Sequence, residues 1–151
     1  MTRKNVRVFL DTSVLFSAVL SSTGGARRLF LLGEAGLLEL VVGPNVLREA
    51  DEVVRRKVPA SLPMLAQLLE IGKVHAVSAP TSKQIELARK LVAYGPDAHV
   101  LAEAIRANVD WFVTHDKEHF LKPKLSMNLP FEIGTPGDLL QKYTDDFYLP
   151  S

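Results

Sequence analysis

The sequence has no cysteine. Disulfides and thiolate-held metals are therefore excluded, and the composition suits a reducing interior. It has almost no net charge, since 18 Lys and Arg oppose 17 Asp and Glu for a balance of +1. No overall basic field announces a nucleic-acid binder, so any such role rests on local patches. No apolar run reaches membrane-spanning length. An export signal is not expected either. Arg3, Lys4 and Arg7 precede Val8-Phe9-Leu10, but Asp11 breaks the apolar region and no small-residue cleavage site follows. The expected location is the cytoplasm, away from any membrane. Repeats, low-complexity segments and linkers are absent as well. The 151 residues, 47% of them hydrophobic, read as one domain spanning 1–151 with enough apolar surface for a real core.

What is present alternates between two periodicities. Val6 to Leu10 is a short β-branched apolar run and predicts a first strand, followed at once by Asp11-Thr12-Ser13 and a helix to Leu20. A second helix is expected over Ala26–Ala35, a second strand over Leu37–Val42 and a third helix from Pro44 to about Lys57. Further helices are expected over Leu62–Ile71 and Thr81–Ala93, separated by a third strand over Lys73–Val77. The stretch from Gly95 to Phe120 predicts a sixth helix opened by Gly95-Pro96 and ended by Asn108. A buried strand, Trp111-Phe112-Val113, follows, and Thr114-His115-Asp116 closes it. A weak fifth strand over Phe131–Ile133 and a last helix from Thr135-Pro136 complete the chain, with 144–151 expected as a loose tail. Strands alternating with helices predict an α/β domain whose parallel sheet is covered on both faces.

Three acids stand where strands end or helices begin. Asp11 follows the first strand, Asp116 follows the fourth, and Asp97 lies in the first turn of the sixth helix. Each alone could be an ordinary cap, worth about 1 kcal/mol. Glu49 cannot be a cap, because it sits mid-helix at the edge of an apolar arc formed by Val46, Leu47, Ala50, Val53 and Val54. Asp51 flanks the same arc on the other side, and periodicity does not choose between the two. Together the acids say more. In a parallel sheet all strand carboxyl ends share one edge, so Asp11 and Asp116 meet there with Asp97 nearby. Unpaired carboxylates so close repel one another. A hard divalent cation, Mg²⁺ or Mn²⁺, resolves that repulsion and can activate water against a phosphodiester.

The chain resembles the PIN-domain family over most of its length. The resemblance rests on Val-Phe-Leu-Asp11-Thr-Ser-Val-Leu, Val-Val-Gly-Pro-Asn-Val-Leu-Arg-Glu49, Asp97-Ala-His-Val-Leu-Ala-Glu-Ala and Phe-Val-Thr114-His-Asp116-Lys-Glu118. Small prokaryotic members are the nearest in pattern, including the toxins of VapBC-type toxin–antitoxin pairs. The resemblance implies a sheet of strand order 3-2-1-4-5 and a Mg²⁺- or Mn²⁺-dependent ribonuclease. It implies a homodimer silenced by a cognate antitoxin. It also favours Glu49 over Asp51. By motif match, Asp11, Glu49, Asp97 and Asp116 carry over as the metal-binding and catalytic acids. Glu118 stands where many members have a further acid, usually Asp. Thr114 and Ser13 match polar positions that support the site, Ser13 replacing a common Asn.

RNA requires basic groups around such an acidic pocket. Candidates are Arg27 and Arg28 after a glycine-rich loop, Arg48 beside Glu49, Lys117 beside Asp116, and Lys122 and Lys124 further on. Each is more often a solvated surface charge. Other readings compete. His115 and His119, four apart, resemble half of a zinc-protease helix, but Asp116 replaces the required Glu, Pro123 follows soon, and the bland reading makes both partly exposed turn residues. A different metal-dependent phosphohydrolase of the haloacid dehalogenase type needs an acid where Ser13 stands. A catalytically inactive interaction module of the same fold is the third alternative, and metal titration separates it from the enzyme.

Overall fold

The structure is a computed structural model that describes residues 5–92, 95–116, 118–121 and 129–147. Strands β1 (Val6–Leu10), β2 (Leu38–Val42), β3 (His75–Ala76), β4 (Trp111–Val113) and β5 (Glu132–Gly134) form one sheet of order β3-β2-β1-β4-β5, parallel throughout. Among the described residues, seven α-helices connect and cover it: α1 (Thr12–Leu20), α2 (Gly25–Glu34), α3 (Pro44–Lys57), α4 (Leu62–Ile71), α5 (Ser82–Leu91), α6 (Gly95–Ala107) and α7 (Pro136–Phe147). A 3-10 turn, Pro59–Ser61, joins α3 to α4. No helix among the described residues is long and apolar enough to cross a membrane.

The central strand shows why helices must lie on both faces. Val8, Phe9 and Leu10 point alternately to opposite sides, yet all three are fully buried. Val8 pairs with both Leu40 of β2 and Trp111 of β4, so β1 is central. The core is stitched by Phe112, whose ring lies 5.4 Å from Phe9, 4.9 Å from Phe120 and 6.3 Å from Phe131. Phe120 therefore anchors the turn after β4 directly into the core.

Local chemistry sets the ends. Gly43 and Pro44 start α3, and Arg55, Arg56 and Lys57 fill its last turn, where cations suit the exposed carbonyls. Thr81 and Gln84 close a reciprocal capping box ahead of α5. Asn108, at φ 53°, turns the chain out of α6 in the left-handed region that Asn tolerates. Thr135 and Asp138 exchange hydrogen bonds of 2.9 and 3.1 Å across the start of α7.

Three expectations shift. The third strand shrinks from 73–77 to His75–Ala76, because Lys73 adopts φ 53° and finishes a turn before extended backbone can begin. The tail expected from Thr144 is helical through Phe147, and 148–151 lie outside the described residues. Tyr143 explains the added length, since its hydroxyl donates to the Leu37 carbonyl at 2.9 Å and its ring is buried. The fifth strand moves one residue, to Glu132–Gly134, leaving Phe131 free to pack on Phe112.

Candidate metal centre

Asp11 leaves β1 at its carboxyl end. Its own N–H still bonds the Val113 carbonyl at 3.0 Å, so the ladder runs one step past the strand and sets Asp11 beside β4. There Thr114, fully buried, donates from Oγ1 to Asp11 Oδ2 at 2.8 Å, and Ser13 Oγ donates to the same oxygen at 3.1 Å. The two hydroxyls are in turn fixed. The Asp116 N–H donates to Thr114 Oγ1 at 2.9 Å, and the His115 N–H donates to Ser13 Oγ at 3.0 Å. One small network thus holds the ends of β1 and β4 and aims Asp11.

Asp116 begins a turn that runs through Phe120, whose N–H bonds the Asp116 carbonyl at 3.1 Å. The His119 N–H donates to Asp116 Oδ1 at 3.0 Å, and the imidazole Nδ1 lies 2.9 Å from Asp116 Oδ2. Asp97, in the first turn of α6, brings Oδ2 to 3.2 Å from the same Nδ1. A cavity of about 450 Å³ opens over these groups. Its polar lining includes Asp11, Ser13, Glu49, Asp97, Asp116 and His119. Glu49 reaches it from α3 and is exposed at the rim, whereas Asp51 turns outward and pairs with Arg55 at 2.8 Å.

Electrostatics distinguish this cluster from a set of caps. Burial raises the Asp11 pKa, the hydrogen bonds from Thr114, Thr12 and Ser13 oppose the rise, and Asp116 adds repulsion. Burial raises Asp97, His119 opposes, and Asp116 and Asp11 add to it. Partial burial and then the charge of Asp11 raise Glu49. The acids push one another toward protonation, and among the described residues no Lys or Arg lines the cavity to offset them. Asp97 is 9% exposed, yet its Oδ2 accepts no hydrogen bond among the described residues. A buried carboxylate oxygen without a donor, facing two more acids, is the donor set a divalent cation fits. Asp97, Asp116 and His119 can each place one ligand atom within 4.8 Å of the others.

The four acids expected together all line one cavity. Glu118 is exposed and does not line it. Arg27 is committed elsewhere, with Nε donating to the Ala18 carbonyl at 2.8 Å, while Arg28 is exposed. Arg48 bonds the Asn45 side chain at the mouth of an adjoining cavity of about 580 Å³, which shares Glu49, Pro96 and Val100 with the first. Lys117, Lys122 and Lys124 lie outside the described residues. His115 is exposed and apart from the donor group, so the two histidines do not form a zinc pair. His119 matches the partly exposed turn residue that the sequence predicts, but it also sits among the acids. Its signal is its place three residues after Asp116, within one turn.

Glu103 is the other buried acid, and sequence reasoning alone misses it. It is fully buried on α6, and its Oε2 accepts the Asn45 N–H at 2.7 Å at the start of α3. Gly43 is required opposite, because a Cβ there would fall 2.2 Å from Glu103 Oε1.

The family model for the PIN domain matches residues 7–118. Solved structures with the same fold include PAE2754 from Pyrobaculum aerophilum, at 15% identity, a TM-score of 0.62 and coverage of 93% of this chain and 97% of that one. VapBC2 from Rickettsia felis, bound to a DNA fragment from its promoter, matches at 16% identity with a TM-score of 0.61, covering 85% and 97%. Mycobacterium tuberculosis VapC20, described as a sarcin-ricin loop cleaving toxin, matches at 16% identity with a TM-score of 0.54, covering 74% and 91%. No curated protein sequence matches this chain.

Proposed function

The chain belongs to the PIN-domain family, and on that premise we propose that it is a divalent-cation-dependent endoribonuclease. The observation that carries the reading is the convergence of Asp11, Asp97 and Asp116 on one cavity, where the buried Oδ2 of Asp97 has no hydrogen bond and only the His119 imidazole as a counter-charge. Asp11, Asp97 and Asp116 would hold Mg²⁺ or Mn²⁺, with Glu49 reaching it directly or through water. When bound, the cation supplies Lewis acidity, lowering the pKa of a water and offsetting charge on the phosphodiester.

The chain's own residues do the positioning. Thr114 and Ser13 lock Asp11 in one orientation. The first turn of α6 delivers Asp97, and the Phe120 anchor fixes the turn that carries Asp116. Phe16, Val53 and Val100 form the apolar part of the cavity wall. Arg48 stands at the adjoining cavity, where a neighbouring phosphate of the strand would need a cation, and exposed Arg28 offers another contact.

The toxin role, a homodimer, a cognate antitoxin and a cytoplasmic location complete the proposal. The Rickettsia felis pair and the loop-cleaving Mycobacterium tuberculosis toxin share the fold and support that role. The test is cleavage of a mixed RNA pool with Mg²⁺, Mn²⁺ and chelator side by side. Cleavage is expected with either ion and lost in chelator. Cleavage that survives chelation refutes the proposal. A neighbouring reading frame for a DNA-binding antitoxin, whose product silences the activity on co-expression, tests the toxin role.

A further inference from the structure

We propose that His119 Nδ1 is itself a ligand to the cation, so that the site prefers Mn²⁺ and later first-row ions to Mg²⁺. The inference rests on the metal reading above and deepens it. Two ligands side by side on an octahedral ion, each at about 2.1 Å, stand about 3.0 Å apart. The His119 Nδ1 atom lies 2.9 Å from Asp116 Oδ2 and 3.2 Å from Asp97 Oδ2. Both separations match neighbouring corners of one coordination shell. All three donor atoms fall within 4.8 Å of one another. They form a nitrogen–oxygen–oxygen face, related to the histidine–carboxylate faces that hold first-row transition ions.

The His119 backbone is tied to the same turn, its N–H donating to Asp116 Oδ1 at 3.0 Å. Phe120 is 2% exposed and packed against Phe112, which fixes the backbone next to His119. The donorless Oδ2 of Asp97 is the second contact of the same ring nitrogen. An imidazole nitrogen adds little for Mg²⁺, which favours oxygen, but adds affinity along the series from Mn²⁺ to Co²⁺ and Ni²⁺.

The test is pulsed electron paramagnetic resonance of the full chain loaded with Mn²⁺, with binding of Mg²⁺, Mn²⁺ and Co²⁺ measured by calorimetry. The expected spectrum carries ¹⁴N coupling from a coordinated imidazole. That coupling persists in His115→Asn and His99→Asn and disappears in His119→Asn, whose amide can still donate to Asp116. Co²⁺ affinity should fall at least about tenfold in His119→Asn, while Mg²⁺ affinity changes by less than about twofold. Bound Mn²⁺ without ¹⁴N coupling, or coupling that survives His119→Asn, overturns the ligand assignment and leaves the metal-dependent nuclease standing. Failure of Mn²⁺ to bind at all overturns both. Should a variant fail to fold, the wild-type spectrum by itself still shows whether an imidazole touches the ion.

Discussion

Helix α6 carries two buried acids with opposite fates. Asp97, in its first turn, faces Asp11 and Asp116 and leaves an oxygen without a donor. Glu103, further along, also leaves one oxygen, Oε1, without a hydrogen bond, but it meets the start of α3, where the Asn45 N–H donates to Oε2 at 2.7 Å and Val46 adds a second backbone bond. Burial raises both pKa values. The neighbours differ. Glu103 is met by backbone donors and the charge of Arg48, and it serves as a cap for a helix that lacks one of its own. Asp97 is met by more acids and one imidazole. Burial alone therefore does not mark a site. A buried acid whose surroundings repeat its own charge does.

The sharpest break in the comparison is Asp97→Asn against Glu103→Gln. Loss of a cation ligand removes several kcal/mol of transition-state stabilisation, so cleavage should drop by on the order of 10³-fold or more in Asp97→Asn. The fold should persist, as circular dichroism would show. Glu103→Gln should keep most activity. If Asp97→Asn cuts RNA at the native rate, the contrast collapses.

Next comes stability. Glu103→Ala strands the Asn45 N–H and opens a cavity between α3 and α6, at a cost of roughly 3 kcal/mol in urea denaturation. Gly43→Ala should cost somewhat less, about 1–3 kcal/mol, by driving a methyl into the Glu103 side chain. Asp97→Asn should not destabilise the metal-free protein, because it removes repulsion. A large loss there would make Asp97 a structural acid like Glu103.

Metal should separate the two acids in the other direction. Mn²⁺ at about a hundred times its dissociation constant stabilises the native state by about 2.7 kcal/mol, visible as a rise in Tm. The rise should vanish in Asp97→Asn and survive in Glu103→Gln. An unmoved Tm in the wild-type protein argues for the inactive interaction module.

The smallest effect is a pH slope. The folded pKa of Glu103 lies above its unfolded value, so its contribution is complete below the ordinary glutamate range, about 4.3. That contribution is lost as pH rises through the raised folded value. In metal-free denaturation, Glu103→Gln should therefore gain on wild type as pH increases. A difference that stays flat with pH places Glu103 outside this account.

Much of the frame is legible in the sequence because its signals are local. Asp11 and Asp116 each follow an apolar run closely, and the parallel topology sends both to one edge. Periodicity leaves Glu49 and Asp51 on two sides of an arc and only the PIN resemblance chooses; in the fold Arg55 takes Asp51 instead. Glu103 and the second contact of His119 are hidden for a shared reason. Nothing within a turn of Glu103 predicts Gly43 opposite it, and nothing near His119 predicts Asp97. Both meanings are made by packing between segments far apart in the chain. The shortened β3 is invisible because Lys73 carries no sequence mark of its left-handed turn.

The position of β1 has a consequence for the order in which the molecule is made. Its two ladders reach β2, which is synthesised early, and β4, which is synthesised late. While a ribosome has released only the first half of the chain, Asp11 and Glu49 are present but Thr114, Asp116 and Asp97 are not. The incomplete protein then lacks two of the three acids that converge on the cavity. The cluster is complete only when β4 slots beside β1, near the end of elongation.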